Sequence, residues 1–345
     1  MSTEYRYEPW RGMQSTPTQQ GSTGNSRAWL RKWALEVYLP QDNGSGGTIL
    51  TEHLSLSSDD QNPSLRIRFD VEVPSTSAAA WYADIEIFNI DTTTTEKLLY
   101  KDMVVALSAG YKDAGQYGQI FRGPIFQATW ERENVVDWKT TLRCVLGPAL
   151  LPNNLVNTNI GPRATQQDVI AHLASNAMHP LQITVNQDDL DASVKMPRSQ
   201  TFIGSVEKYL QHIAGDTNLQ TWPDDIDSVQ VGDVQGSSSA ETALLYTPKE
   251  IIGTPQQCDN GIALRVLLDT RARVTVPPIK FKIDNSTIRF QKQQFGILPS
   301  ILDRDGVYKI VGIRHYGDNR GDEWYTEMLG LIDAVDPYGL GLQGI

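Results

Sequence analysis

Hydrophobic and polar residues alternate most cleanly between Leu65 and Val73. Leu65, Ile67, Phe69, Val71 and Val73 share one parity; Arg66, Arg68, Asp70 and Glu72 take the other. A period of two sets one face in a core and one in water, so the segment predicts a half-buried strand. Trp29 to Leu39 shows the same parity, with Trp33, Leu35 and Val37 on one side and Lys32 and Glu36 on the other. Further strands are predicted at Thr48–Leu56, Ala83–Ile90 and Met103–Tyr111. Gln119–Arg132 and Val135–Leu146 read as two long strands around a tight Glu133-Asn134 turn. One short helix interrupts them, where Asp91 caps a run of four threonines followed by Glu96, Lys97, Leu98 and Leu99. Strand after strand with a single inserted helix predicts a closed or nearly closed β-barrel.

The period changes after Pro148. Thr165 with Asp168 three residues later makes a capping box, and Val169, Ile170, Leu173, Ala174 and Ala177 share one helical face. Leu181–Val185 predicts a short strand. Phe202–Ala214 predicts a second helix, with Gly215 at its C-cap. Leu219–Trp222 and Ser228–Val231 are predicted strands. The β pattern returns at Ile262–Leu268. Val274–Ile283 reads as an edge strand, because Pro277 and Pro278 donate nothing to a ladder. Ser286–Phe290 is a further strand. Tyr308 to Leu329 then reads as a hairpin around a Gly/Asn/Asp-rich turn. The chain thus divides into an arm (1–28), a first β-barrel domain (29–150), a small α/β insert (151–232), a second β-barrel domain (233–335) and a tail (336–345). The fold class is mainly β with an α/β insert.

Composition narrows the function. The 345 residues carry a formal net charge of −11 and a pI near 4.9. A nucleic-acid-gripping protein displays a basic surface, so stable DNA binding is disfavoured, while a surface past which DNA slides is not. No apolar run reaches the roughly 20 residues of a membrane span, and Met1 to Gln20 lacks the apolar segment of a secretory signal. Two cysteines, Cys144 and Cys258, give no disulfide framework and suit small apolar core positions.

Candidate chemistry is sparse. There is no phosphate-binding GxxxxGK[ST] and no GxSxG, and none of the five histidines stands at a metal-ligand spacing. The acidic turns Asp188, Asp189, Asp191 and Asp224, Asp225, Asp227 lack the glycine and terminal Glu of a calcium loop. The chain is therefore read as no enzyme, with no cofactor and no resident metal. In the arm, Tyr5, Tyr7 and Trp10 are unusual for a linker and suit anchors on a neighbouring subunit.

The order R-H-x-G-D-x-R-G-x-x-W-Y-T-E, here Arg314 to Glu327, resembles the last hairpin of baseplate hub proteins of contractile-tailed phages, a tail-tube-like family related to type VI secretion spike bases. Ala83–Ile90 with its following helix, the run from Gly110 to Cys144, and the insert at Thr165 to Gly215 resemble that family in the same order. The resemblance implies two tail-tube-like β-barrels per subunit. It also implies a homotrimeric ring with pseudo-six-fold symmetry, joining a hexameric tail tube protein to a trimeric central spike protein beside other baseplate proteins. DNA then passes through transiently, and the protein resides in the virion baseplate after assembly in the host cytoplasm. Interface candidates are Tyr5, Tyr7, Trp10, Lys112, Asp113, Tyr117, Arg314, His315, Asp318 and Arg320. Channel-lining candidates are Asp70, Glu72, Asp84 and Glu86. The alternative reading is a carbohydrate- or peptidoglycan-binding module of a tail or injection machine.

Overall fold

The computed structural model describes residues 30–42, 48–58, 65–73, 81–99, 103–112, 116–146, 154–178, 182–185, 195–216, 220–226, 228–232, 243–258, 261–275, 278–284 and 306–332. The first β-unit contains β1 (Arg31–Asp42), β2 (Thr48–Ser57), β3 (Ile67–Val73), β4 (Trp81–Phe88), α1 (Thr92–Leu98), β5 (Val104–Tyr111), β6 (Gly118–Arg132) and β7 (Trp138–Leu146). The insert contains β8 (Leu155–Ile160), α2 (Gln166–Ser175), β9 (Gln182–Val185), β10 (Gln200–Ser205), α3 (Val206–Asp216), β11 (Gln220–Asp225) and β12 (Ser228–Gly232). The second β-unit contains β13 (Ala243–Tyr246), β14 (Gln256–Cys258), β15 (Gly261–Leu267), β16 (Lys280–Ile283), β17 (Val307–Asp318) and β18 (Trp324–Ile332).

Both β-units belong to one 13-stranded sheet, ordered β14-β15-β18-β17-β3-β4-β7-β6-β5-β1-β2, with β16 on β17 and β13 on β16. The joint is antiparallel β3–β17 pairing, from Ile313 opposite Val73 to Asp318 opposite Arg68. The alternation of β3 appears as predicted: Ile67, Phe69 and Val71 are buried, while the intervening residues reach outward. β6 turns the sheet. Its first half pairs with β5 and its second half with β7, and the register shifts between Ile125 and Gln127. The sheet thereby curls over one core containing Trp33, Leu35, Phe69, Ile85, Ile87, Leu107, Phe121 and Leu142, with Leu98 of α1 among them. Among the described residues the hydrogen-bonded path ends at β2, so side-chain packing rather than a ladder joins this flank to β3.

The second unit has its own core, where Phe281 stacks on Tyr308 at 5.5 Å among Ile262, Leu264, Ile310 and Met328. The insert packs α2 and α3 over a third core of Val156, Val169, Leu173, Phe202, Val206, Leu210 and Val229.

Four local expectations change. Phe202 and Ile203 lie in β10 rather than in a helix. The run Thr201-Phe202-Ile203 is β-branched and aromatic, pairs with β8, and holds Gly204 at a φ of +133°, so helix α3 starts only at Val206 and contains Gly215. β8 itself lies between Pro148 and Thr165, where the pattern predicts no strand. The strand β16 starts beyond both prolines and has neighbours on both sides, so it is not an edge. The β6–β7 turn spans 133–137 instead of two residues, because the Asn134 carboxamide accepts the N–H groups of Val136 and Asp137. The predicted strand Ser286–Phe290 lies outside the described residues.

Candidate interaction surface

The turn of the β17–β18 hairpin is held by the first β-unit. Arg66 donates to both carboxylate oxygens of Asp318, at 2.6 Å from Nη2 and 3.2 and 3.3 Å from Nε. Arg31 donates to the carbonyls of Asp318, Gly321 and Asp322. Asn319 completes a strand-like set with β3. Its carboxamide oxygen accepts the Ile67 N–H at 2.9 Å, its Nδ2 donates to the Leu65 carbonyl, and its backbone N–H donates to the Ile67 carbonyl. Burial opposes the Asp318 charge, but the Arg66 hydrogen bonds and the Arg320 N–H hold its carboxyl below the usual carboxylate range.

Just beyond the turn, Trp324 is 1% exposed and enters the core of the first unit. Its ring stands edge-on to Phe69 at 5.0 Å, and its Nε1 donates to the Gly110 carbonyl at 3.2 Å. Gly317 is the seat for that ring. A Cβ there would lie 2.5 Å from the Trp324 ring and 3.0 Å from Phe69, distances that side chains do not tolerate. Two positions before Gly317, His315 is buried, and its Nδ1 lies 2.9 Å from Thr326 Oγ1, which also accepts the Asp269 N–H. Burial lowers its pKa to about 4; the Asp269 charge opposes this and the Arg273 charge adds to it.

The outward face of the same sheet carries a ladder of charges. One cross-strand row runs Arg265, Glu327, Arg314, Glu72, and the next runs Tyr316, Asp70, Asp84, Arg143. Asp70 and Asp84 stand directly opposite, an arrangement that repels. Each carboxylate is answered by an arginine: Arg314 clasps Asp70 through two hydrogen bonds of 2.8 and 2.6 Å, and Arg143 lies 3.7 Å from Asp84. At one end Lys139 sits 3.2 Å from each of Glu86, Glu131 and Glu133. Burial opposes its charge, yet these carboxylates raise its pKa. An open groove of about 680 Å³ beside the ladder is lined by Glu72, Arg265, Arg314 and Glu327 together with the loop at Ile252–Gln256.

The β6–β7 hairpin differs from both surfaces. On β7 the buried parity of Cys144, Leu142 and Thr140 continues into Trp138, which is 40% exposed. Across the ladder, Trp130 is 41% exposed and stacks on Trp138 at 4.6 Å between ring centroids. Val135 and Val136 at the turn are 81% and 80% exposed, and Phe126 is 79% exposed. A core-type stripe therefore runs out beyond its core.

No protein-family model and no curated protein matches the sequence. Solved structures do match. A tail protein from Neisseria meningitidis MC58 superposes with a TM-score of 0.51 at 15% identity, over 87% of this chain and 97% of that one. The 43 kDa tail protein of prophage MuSo2 from Shewanella oneidensis superposes with a TM-score of 0.51 at 7% identity, over 88% and 98%. The chain has the fold of a tail protein. The resemblance read from its last hairpin is borne out at the level of fold.

Within this tail-protein fold, the candidate residues separate. Asp70, Glu72, Asp84 and Glu86 share the outward face of β3 and β4. Arg314 lies on that face, and Arg320 is exposed at the β17–β18 turn. His315 and Asp318 are buried and bonded within the chain: Asp318 serves the joint between β-units through Arg66, while His315 bonds Thr326 inside the hairpin. Tyr117 is half-buried beneath the Lys32 ammonium, 4.5 Å from its ring centre, and the Lys112 N–H donates to the Leu30 carbonyl. Tyr5, Tyr7, Trp10 and Asp113 lie outside the described residues. Trp130, Trp138, Val135 and Val136 are not among the sequence candidates, although two valines at a turn with a tryptophan on each side are a readable signal. Cys144 is buried and Cys258 half-buried. Among the described residues no group of His, Cys, Asp or Glu converges on a metal-sized site, and no helix is long and apolar enough to cross a membrane.

Proposed function

We propose that this chain is the central hub of a contractile-tail baseplate. Three copies form a ring that meets the hexameric tail tube on one side and the trimeric spike on the other, in contact with other baseplate proteins. The observation carrying this reading is the β3–β17 joint inside a tail-protein fold. It fixes two β-units with separate cores into one sheet, so three copies offer six β-units to a six-fold tube.

The paired ladder supports a channel role for Asp70, Glu72, Asp84 and Glu86. Every arginine named in those rows lies against a carboxylate, so the face offers DNA little free cation to hold it. Arg314 and Arg320 remain candidates for subunit contact in this reading, and the arm residues Tyr5, Tyr7 and Trp10 for anchoring. The hub is assembled in the host cytoplasm and carried in the virion, and it performs no catalysis. Clearing of cell-wall suspensions by the purified protein would contradict that last point.

The deciding experiment is light scattering of the purified protein, alone and with its tail-tube protein. A trimer, or a ring that forms only with the tube, is the expected result. A monomer indifferent to the tube protein would overturn the hub reading.

A further inference from the structure

The second half of β6 is bare in two ways. Its apolar side chains Phe126 and Trp130 are exposed, and among the described residues no strand pairs with the edge of 126–132 that faces away from β7. An unpaired edge bearing exposed aromatic side chains is a template for an added strand. The chain holds a segment of matching chemistry. Thr3 to Trp10 reads Thr-Glu-Tyr-Arg-Tyr-Glu-Pro-Trp, with Tyr5 and Tyr7 at period two, charges between them, and Pro9 to end the strand.

The arm also enters the fold in the right place. Arg31, just beyond it, bonds the Asp318–Asp322 turn. Arg66 bonds the same Asp318 and lies over Phe88 at 4.6 Å. Asn89, next to Phe88, bonds Asp137 at the base of the β6–β7 turn. Direct contacts thus link the arm's attachment to the hairpin, and the stretch from Trp10 to Leu30 spans up to roughly 65 Å when extended.

We infer that the N-terminal arm of each chain adds as a strand to the free edge of β6 in the same chain, covering Trp130 and Trp138 with Tyr5, Tyr7 and Trp10. The covering converts a sticky edge into a closed one before assembly. This inference stands independently of the hub reading.

Two measurements on the full chain test it. The first is amide hydrogen exchange in the wild type and in the triple variant Tyr5→Ser, Tyr7→Ser, Trp10→Ser. Exchange over 126–132 is expected to accelerate at least tenfold in the variant, while 118–124, paired with β5, stays unchanged. Equal exchange at 126–132 in both proteins overturns the inference. The second is oxidation of a Glu8→Cys, Val135→Cys double variant, with the single variants as controls. An intrachain disulfide between the two introduced thiols, at monomer mass, is expected. A bridge found only in dimers shows that the arm covers a second copy and overturns the same-chain assignment, and absence of any such bridge overturns docking itself.

Discussion

Two long hairpins of this molecule treat their tryptophans in opposite ways. The β17–β18 hairpin buries Trp324 in a neighbouring core and ties its turn down with Arg31, Arg66 and Asn319. The β6–β7 hairpin stacks Trp130 on Trp138 in the open and holds its turn through Asn134 and Asp137, with Asn89 bonding its base. Both hairpins pair aromatic strands around a turn containing Asn and Asp, although the β6–β7 turn also exposes Val135 and Val136. What separates them is a distant partner. The first hairpin meets β3 and β1, more than 240 residues away in sequence, whereas residues 126–132 of the second meet no described strand on the side away from β7. Aromatic content marks a surface meant to be covered; the fold decides whether the cover is already in place.

The largest break in this contrast is expected from truncating each tryptophan. Trp324→Ala should cost about 3–5 kcal/mol, because it empties a site inside a packed core. Trp138→Ala should cost below about 1 kcal/mol, as an exposed substitution does. Urea unfolding of the two variants side by side checks both, and equal losses would erase the distinction. Next comes pH. The folded protein keeps His315 neutral down to about pH 4, while the unfolded chain takes up its proton near 6.5. The stabilisation is whole above pH 6.5 and is lost as pH falls toward 4, amounting to about 3 kcal/mol over that window. A series of unfolding midpoints should therefore be steeper between pH 6.5 and 4 in the wild type than in His315→Gln. Parallel slopes would remove His315 as the cause.

Asp318→Ala should follow, with a loss of about 2 kcal/mol, since it strips charged hydrogen bonds from a mostly buried acceptor. The signature is local: Trp324 fluorescence should shift to the red while Trp130 and Trp138 keep their accessibility to quencher. The smallest effect is expected on the outer ladder. Arg314→Ala breaks a two-bond clasp to Asp70, yet both side chains are nearly half exposed, so water and salt leave a cost below about 1 kcal/mol. A double-mutant cycle with Asp70→Ala measures it, and a coupling as large as that of Arg66 with Asp318 would show that exposure does not divide the two pairs.

How much of this was legible in the letters follows from range. The alternation in β3, the Thr165 capping box and the β17–β18 hairpin are local, and each appears where its pattern placed it. β8 escaped because Asn157 and Asn159 weaken a strand signal and its partner β10 lies about 40 residues on. The joint escaped altogether. Arg66 and Asp318 are ordinary charges until β3 and β17 lie side by side, and no periodicity reports that they do. His315 and Asp318 are interface candidates through the resemblance of the hairpin; that both side chains are buried, His315 against Thr326 and Asp318 against Arg66, is not written in that motif.

The β3–β17 joint also sets an order of events in synthesis. The Ile67–Asn319 bond closes a loop of 252 residues, so the first unit cannot finish folding when its own strands leave the ribosome. At about 5–20 residues per second, the interval between Leu146 and Trp324 lasts roughly 10–40 s. During that time Phe69 and Gly110 wait for the ring of Trp324. Such long-range closure slows folding. A nascent chain stalled before β17 is thus left incomplete at its first unit, so the first unit matures only together with the second.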